Sequence, residues 1–179
     1  MGIAYVSAKG AAGGKVRFGG ATEPLVWGTF VLYRPRDDIG RLYLKSVDAA
    51  DDMLTLRSKP NALLAAARWS KLLIRHLMEG HADDDLLANL YWNMKLLCSS
   101  LPIYAVQWRF IWRWLKIWGL APDVSKCAVG TDSEIELLRF VSIAKTSKLE
   151  SFEKIELLES CRRLFIDASR RAEEFLKEV

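Results

Sequence analysis

Gly40-Arg41-Leu42-Tyr43-Leu44-Lys45-Ser46-Val47 and, beyond a break at Arg57-Ser58-Lys59-Pro60, Asn61-Ala62-Leu63-Leu64-Ala65-Ala66-Ala67-Arg68-Trp69 are two halves of one stretch in which the hydrophobic period changes. The first half alternates polar and apolar residues, as a half-buried strand does. The second half places Leu63, Leu64, Ala67, Leu72, Ile74 and Leu77 at helical spacing and stops at Gly80. Upstream the punctuation stays strand-like. Ile3 to Lys9 is a short strand candidate stopped by Gly10, Ala11 to Gly20 is a glycine-rich basic loop, and Leu25 to Tyr33 is rich in β-branched and aromatic residues. Asp52 to Arg57 is a further short strand candidate. Downstream everything reads as helix. Asp83-Asp84-Asp85 opens a helix running to about Ser99, because acidic residues favour the positive end of a helix dipole. Pro102 opens another that Gly119 and Pro122 close, and residues 133–144 and 151–177 supply two more. The predicted fold is α+β: a small N-terminal β module (1–59), a small sheet or partial barrel, then an all-α helical domain (60–179) of about five helices.

The 179 residues suffice for a core without covalent staples, and the 51% apolar share excludes wholesale disorder. Cys98, Cys127 and Cys161 are odd in number and widely spaced, which fits a reducing compartment better than a disulfide framework. Residues 1–20 lack the apolar core of a signal peptide. The most apolar stretch, Leu101 to Ala121, carries Arg109, Arg113 and Lys116, which cost too much at the middle of a membrane span. A soluble, cytoplasmic protein is expected.

Catalytic signatures fail one by one. There is no phosphate-binding glycine loop, no nucleophile elbow and no paired CxxC. His76 and His81 flank a helix end, where a surface histidine explains them better than a metal does. The expectation is no enzyme, no metal and no cofactor. Two basic and aromatic zones remain. Between Lys9 and Lys45 stand Lys9, Lys15, Arg17, Arg34, Arg36, Arg41 and Lys45 against three acids, an excess of four that equals the net charge of the whole chain. Tyr5, Phe18, Trp27, Phe30, Tyr33 and Tyr43 lie among them. Cations that track phosphates beside aromatic faces that stack on bases make a single-strand binder, whereas the same residues in an ordinary sheet are core and solvated face. The second zone, Pro102 to Trp118, has four of the seven tryptophans and no acid. Arg109, Arg113 and Lys116 share one helix face there. This is a core helix with a solvated basic stripe, a membrane-surface helix, or a groove in which Trp108, Arg109, Arg113, Trp114 and Trp118 take an acidic-hydrophobic peptide.

Ala8-Lys9-Gly10-Ala11 with its basic glycine-rich loop, then Glu23-Pro24-Leu25 and strands reaching Gly40-Arg41-Leu42, resembles the RecO recombination-mediator family. So does Arg109-Phe110-Ile111-Trp112-Arg113-Trp114-Leu115 through Gly119-Leu120-Ala121-Pro122 to Cys127-Ala128-Val129-Gly130, in the same order along the chain. The resemblance implies an OB-type β module and a helical domain. It also implies a non-enzymatic DNA repair and recombination mediator that binds single-stranded DNA, the acidic C-terminal tail of single-strand-binding protein, and the RecR protein, aiding annealing and recombinase loading. The DNA-binding candidates would then be Lys9, Lys15, Arg17, Arg34, Arg36, Arg41 and Lys45, with Arg109 and its aromatic neighbours as the tail site. Two features depart from the family. Cys127 is not followed by the second cysteine of the family's zinc site, so no zinc is expected. Ala8 stands seven residues from Met1, so the barrel is expected to lack its first strands. A helical protein-interaction module without DNA binding and a peripheral membrane protein are the competing classes.

Overall fold

The computed structural model describes residues 3–11, 18–37, 40–51, 53–77, 82–119, 121, 139 and 141–142. The expected helix at 151–177 and all of that at 133–144 except residues 139, 141 and 142, together with Lys15, Arg17, His81, Cys127 and Cys161, lie outside the described residues. Among the described residues the chain forms β1 (Val6–Ser7), a 3-10 turn (Gly19–Thr22), β2 (Trp27–Tyr33) and β3 (Leu42–Asp51). Four helices follow: α1 (Leu54–Arg57), α2 (Pro60–His76), α3 (Asp84–Leu97) and α4 (Ile103–Ile117). The architecture is α+β, a small sheet followed by helices.

The sheet has the order β1-β3-β2. β2 and β3 form an antiparallel hairpin from Trp27↔Asp51 to Tyr33↔Tyr43, while β1 runs parallel to β3 at Val6↔Leu42 and Ser7↔Tyr43. The hairpin register slips twice, leaving Ala50 and Lys45 as extra residues on β3. At the first slip the strands come so close that a Cβ on Gly28 would strike the carbonyl oxygen of Asp48, which is why glycine stands there.

Asp52 to Arg57 does not continue the sheet. Met53 takes a left-handed backbone (φ 54°) and its N–H donates to the Asp51 carboxylate at 2.9 Å, ending β3. The short helix α1 follows and buries Leu56 completely. The strand expectation fails because burial of Met53 and Leu56 in the helical core outweighs the β-propensity of a six-residue segment. α2 starts at Pro60, whose missing N–H is no loss in a first turn, and stops at Leu77 rather than at Gly80. At the start of α3 the Asp83 carboxylate accepts from the Leu86 N–H at 2.9 Å, the cap that the acidic triplet signalled. At the other end of α3, the Lys59 ammonium donates to the carbonyls of Cys98 (2.8 Å) and Ser99 (2.9 Å), a cation closing a helix C-terminus.

The core lies between α2, α3 and α4. Trp69 of α2 stacks on Phe110 of α4 (centroids 4.5 Å apart), and Phe110 meets Trp114 edge to face. Buried Asn89 ties α3 to α4 by donating to the Phe110 carbonyl at 3.0 Å, and Asn93 donates to Asn89 in turn. The sheet is fastened to this body at one end. Trp27 packs against Tyr91 of α3, the Lys95 ammonium sits 2.8 Å from Asp51, and Arg57 of α1 donates to the Pro24 carbonyl at 2.8 Å.

The Lys95 ammonium and the Met53 N–H hold the Asp51 carboxyl below the usual carboxylate range. A group whose folded pKa is lowered stabilises above its unfolded value and loses that contribution as pH falls through the folded one. Because Lys95 is well exposed, the pair is worth about 1 kcal/mol or less. Thermal melts should therefore show Asp51→Asn below the parent at pH 7, with the gap closing as pH falls below about 4. A gap that did not narrow at all on acidification would contradict this.

Candidate nucleic-acid interface

The end of the sheet away from α3 collects positive charge. The connection between β2 and β3 carries Arg34, Arg36 and Arg41, all exposed. Lys45 is the extra residue at the second register slip, and a bulge of this kind turns its side chain out of the ladder. Because β1 runs parallel to β3, the residues after Ser7 pass alongside the start of β3. The Lys9 ammonium accordingly lies over the Tyr43 ring, 5.0 Å from its centroid. Tyr43 in turn stacks on Tyr33, at 5.6 Å and 29° between planes. Tyr33 and Tyr5 are exposed, so aromatic surface and cations share this end of the sheet, while Phe30, also exposed, pairs with Val47 midway along the hairpin. Among the described residues of the β2–β3 connection, Asp37 is the sole acid. Five of the seven candidate DNA-binding residues are thereby brought together, and the remaining two, Lys15 and Arg17, lie outside the described residues.

The second zone is arranged differently from its expectation. Arg109 is 2% exposed and Trp114 1%, and Trp108 and Trp112 are buried with them. The Arg109 guanidinium donates to the Val141 carbonyl at 3.4 Å. Burial, and secondarily the Arg113 charge, push its pKa down to about 10, so it remains charged at neutral pH. The basic residues do share a helix face, but that face runs from buried Arg109 through half-buried Arg113 to exposed Lys116. It is not a solvated stripe, because Val141 covers its first turn. Of the peptide-site candidates Trp108, Arg109, Arg113, Trp114 and Trp118, only Arg113 and Trp118 retain appreciable surface. The tryptophans are explained by core packing: Trp114 contacts Phe110, Trp118 and His76 by its ring.

A further basic face, which the sequence analysis does not single out, lies on α2. Its outward face carries Arg68, Lys71 and Arg75, all exposed, interleaved with Leu64 and Ile74, which are 51% and 56% exposed. The helix contains no acid. Spacings of three and four between cations on an acid-free helix were the available signal. At its end His76 contacts Trp118, joining this face to the accessible end of α4, and burial with the Arg75 charge lowers the His76 pKa. No helix of the described residues is long and apolar enough to cross a membrane.

Compared with known proteins, the chain is similar to the DNA repair protein RecO of Gloeobacter violaceus, at 28% identity over 137 residues, covering 72% of this chain and 49% of that protein. The chain thus spans about half the length of this curated relative. No protein-family model matches the chain. No solved structure matches it either.

Proposed function

We propose that this RecO-like chain is a non-enzymatic, cytoplasmic DNA repair and recombination mediator whose β module (1–59) binds single-stranded DNA and whose helical domain (60–179) binds protein partners. The observation that carries the reading is the convergence of Lys9, Arg34, Arg36, Arg41 and Lys45 around exposed aromatic rings at one end of the sheet. Cations there would take the phosphate backbone and the rings would take bases. Topology supports an OB-type origin for the sheet. In an OB barrel the third and fifth strands pair in parallel and the fourth and fifth antiparallel, the relation in which β1, β3 and β2 stand. On that alignment the basic β2–β3 connection corresponds to the loop between the last two strands, one of those with which OB folds hold oligonucleotides.

Fluorescence anisotropy of a labelled oligo-dT strand tests this directly. Three to five phosphate contacts give a log–log salt slope of about −2 to −3.5, a roughly tenfold to hundredfold loss of affinity between 50 and 200 mM salt. Absence of binding at the lower salt would refute the DNA reading.

Partner binding has its own support. The α2 face of Arg68, Lys71 and Arg75 with exposed Leu64 and Ile74, adjoining Trp118, suits an acidic segment carrying apolar side chains. The acidic tail of single-strand-binding protein has that chemistry, and RecR is the second partner of this reading. If the chain fails to bind DNA but retains a tail peptide, it is a protein-interaction module alone.

A further inference from the structure

We propose that Tyr33 is a base-stacking platform, a preformed seat for one nucleobase of a single strand, with Tyr43 and Lys9 stacked behind it; this rests on the single-strand reading above. Tyr33 and Tyr43 face each other at the last register position of the hairpin, and their rings stack with centroids 5.6 Å apart and 29° between planes. The two rings differ in what lies around them. Tyr43 is 7% exposed and has the Lys9 ammonium 5.0 Å from its centroid. Tyr33 keeps 45% of its surface in solvent, so of the two stacked rings it is the accessible one.

A flat, open ring in a fixed orientation suits a nucleobase, because every base has a face to lay on it. Tyr5, also exposed at this end, has no comparable support from Tyr43 against its ring, whereas Tyr33 is held before any ligand arrives and loses little freedom on binding. The phosphates on either side of a base seated on Tyr33 would have Arg34, adjacent in sequence, and exposed Lys45, two residues beyond Tyr43, as cationic neighbours. An ordinary cross-strand aromatic pair would have the same ring geometry and no ligand, and the test must separate the two.

The discriminating comparison is oligo-dT against an abasic strand of equal length, which keeps the phosphates and lacks the bases. Tyr33→Ala is expected to weaken oligo-dT by about 5- to 150-fold, to leave the abasic strand unchanged, and to leave the salt slope unchanged. Tyr33→Phe keeps the ring and should restore oligo-dT binding. Equal loss for both strands would mean that the residue only shapes the sheet, and no loss for either would mean that no base sits there. Either result overturns the platform. Failure of the unaltered chain to bind both strands would instead bring down the single-strand reading, and the platform with it. A strand carrying 5-iododeoxyuridine adds a positional readout. On irradiation the adduct should map to Tyr33, and an adduct confined to Tyr5 or Phe30 would overturn the assignment.

Discussion

Arg109→Glu is expected to unfold the helical core rather than merely change the surface charge of α4. The guanidinium it replaces is 2% exposed and donates to the Val141 carbonyl. A carboxylate there would set an acceptor against an acceptor in a site closed to water. An uncompensated buried charge costs about 3–5 kcal/mol, and the new carboxylate, facing a carbonyl oxygen, would be one. Chemical denaturation read by tryptophan fluorescence should show the midpoint collapse. Arg113→Glu, one turn along on the same face and half-buried, should move it far less. Equal effects of the two substitutions would mean that the depth difference between them is wrong. Loss of peptide binding in an Arg109 variant would therefore report on folding, and Arg68, Lys71 or Arg75 are the positions to change instead.

Phe110→Ala is the second large effect. The ring is fully buried, stacked on Trp69 at 4.5 Å and edged by Trp114, and its own carbonyl accepts from Asn89. Truncation leaves a cavity between two indoles whose rigid rings cannot collapse into it, and a large aromatic-to-alanine change in such a setting costs about 3–5 kcal/mol. The loss should appear as a lower denaturation midpoint with an unchanged slope. A loss below about 1 kcal/mol, the level of an ordinary surface change, would show that α2 and α4 do not meet through this stack.

Much of this architecture can be read from residue order, and the reasons are local. The Asp83 cap, the Pro60 start and the alternation through Leu42 to Val47 each follow from the chemistry of a few adjacent residues, and the elements stand where that chemistry puts them. What escapes is decided at a distance. Nothing within Asp52 to Arg57 announces a left-handed Met53 and a helical turn, because the deciding term is the burial of Leu56 against helices that come later in the chain. Periodicity assigns Arg109 to a face but not to a depth. The depth depends on Val141, thirty-two residues away. The gathering of the β-module cations was half legible: their abundance is in the sequence, but their convergence requires the parallel pairing of β1 with β3 and the bulge at Lys45. The stack of Tyr33 on Tyr43 requires the hairpin register, which alternation alone does not set.

The same parallel pairing sets an order of events. β1 is two residues long and joins β3 across thirty-four intervening residues, whereas the hairpin beside it closes through a short connection. The entropy of closing the longer loop must be met before its few hydrogen bonds return anything, so β1 docks last in folding and detaches first in native-state fluctuations. Lys9 travels with it. Each such opening withdraws one cation from the Tyr43 ring while the hairpin and the helical body stay intact, so the charge gathered at this end can change without global unfolding.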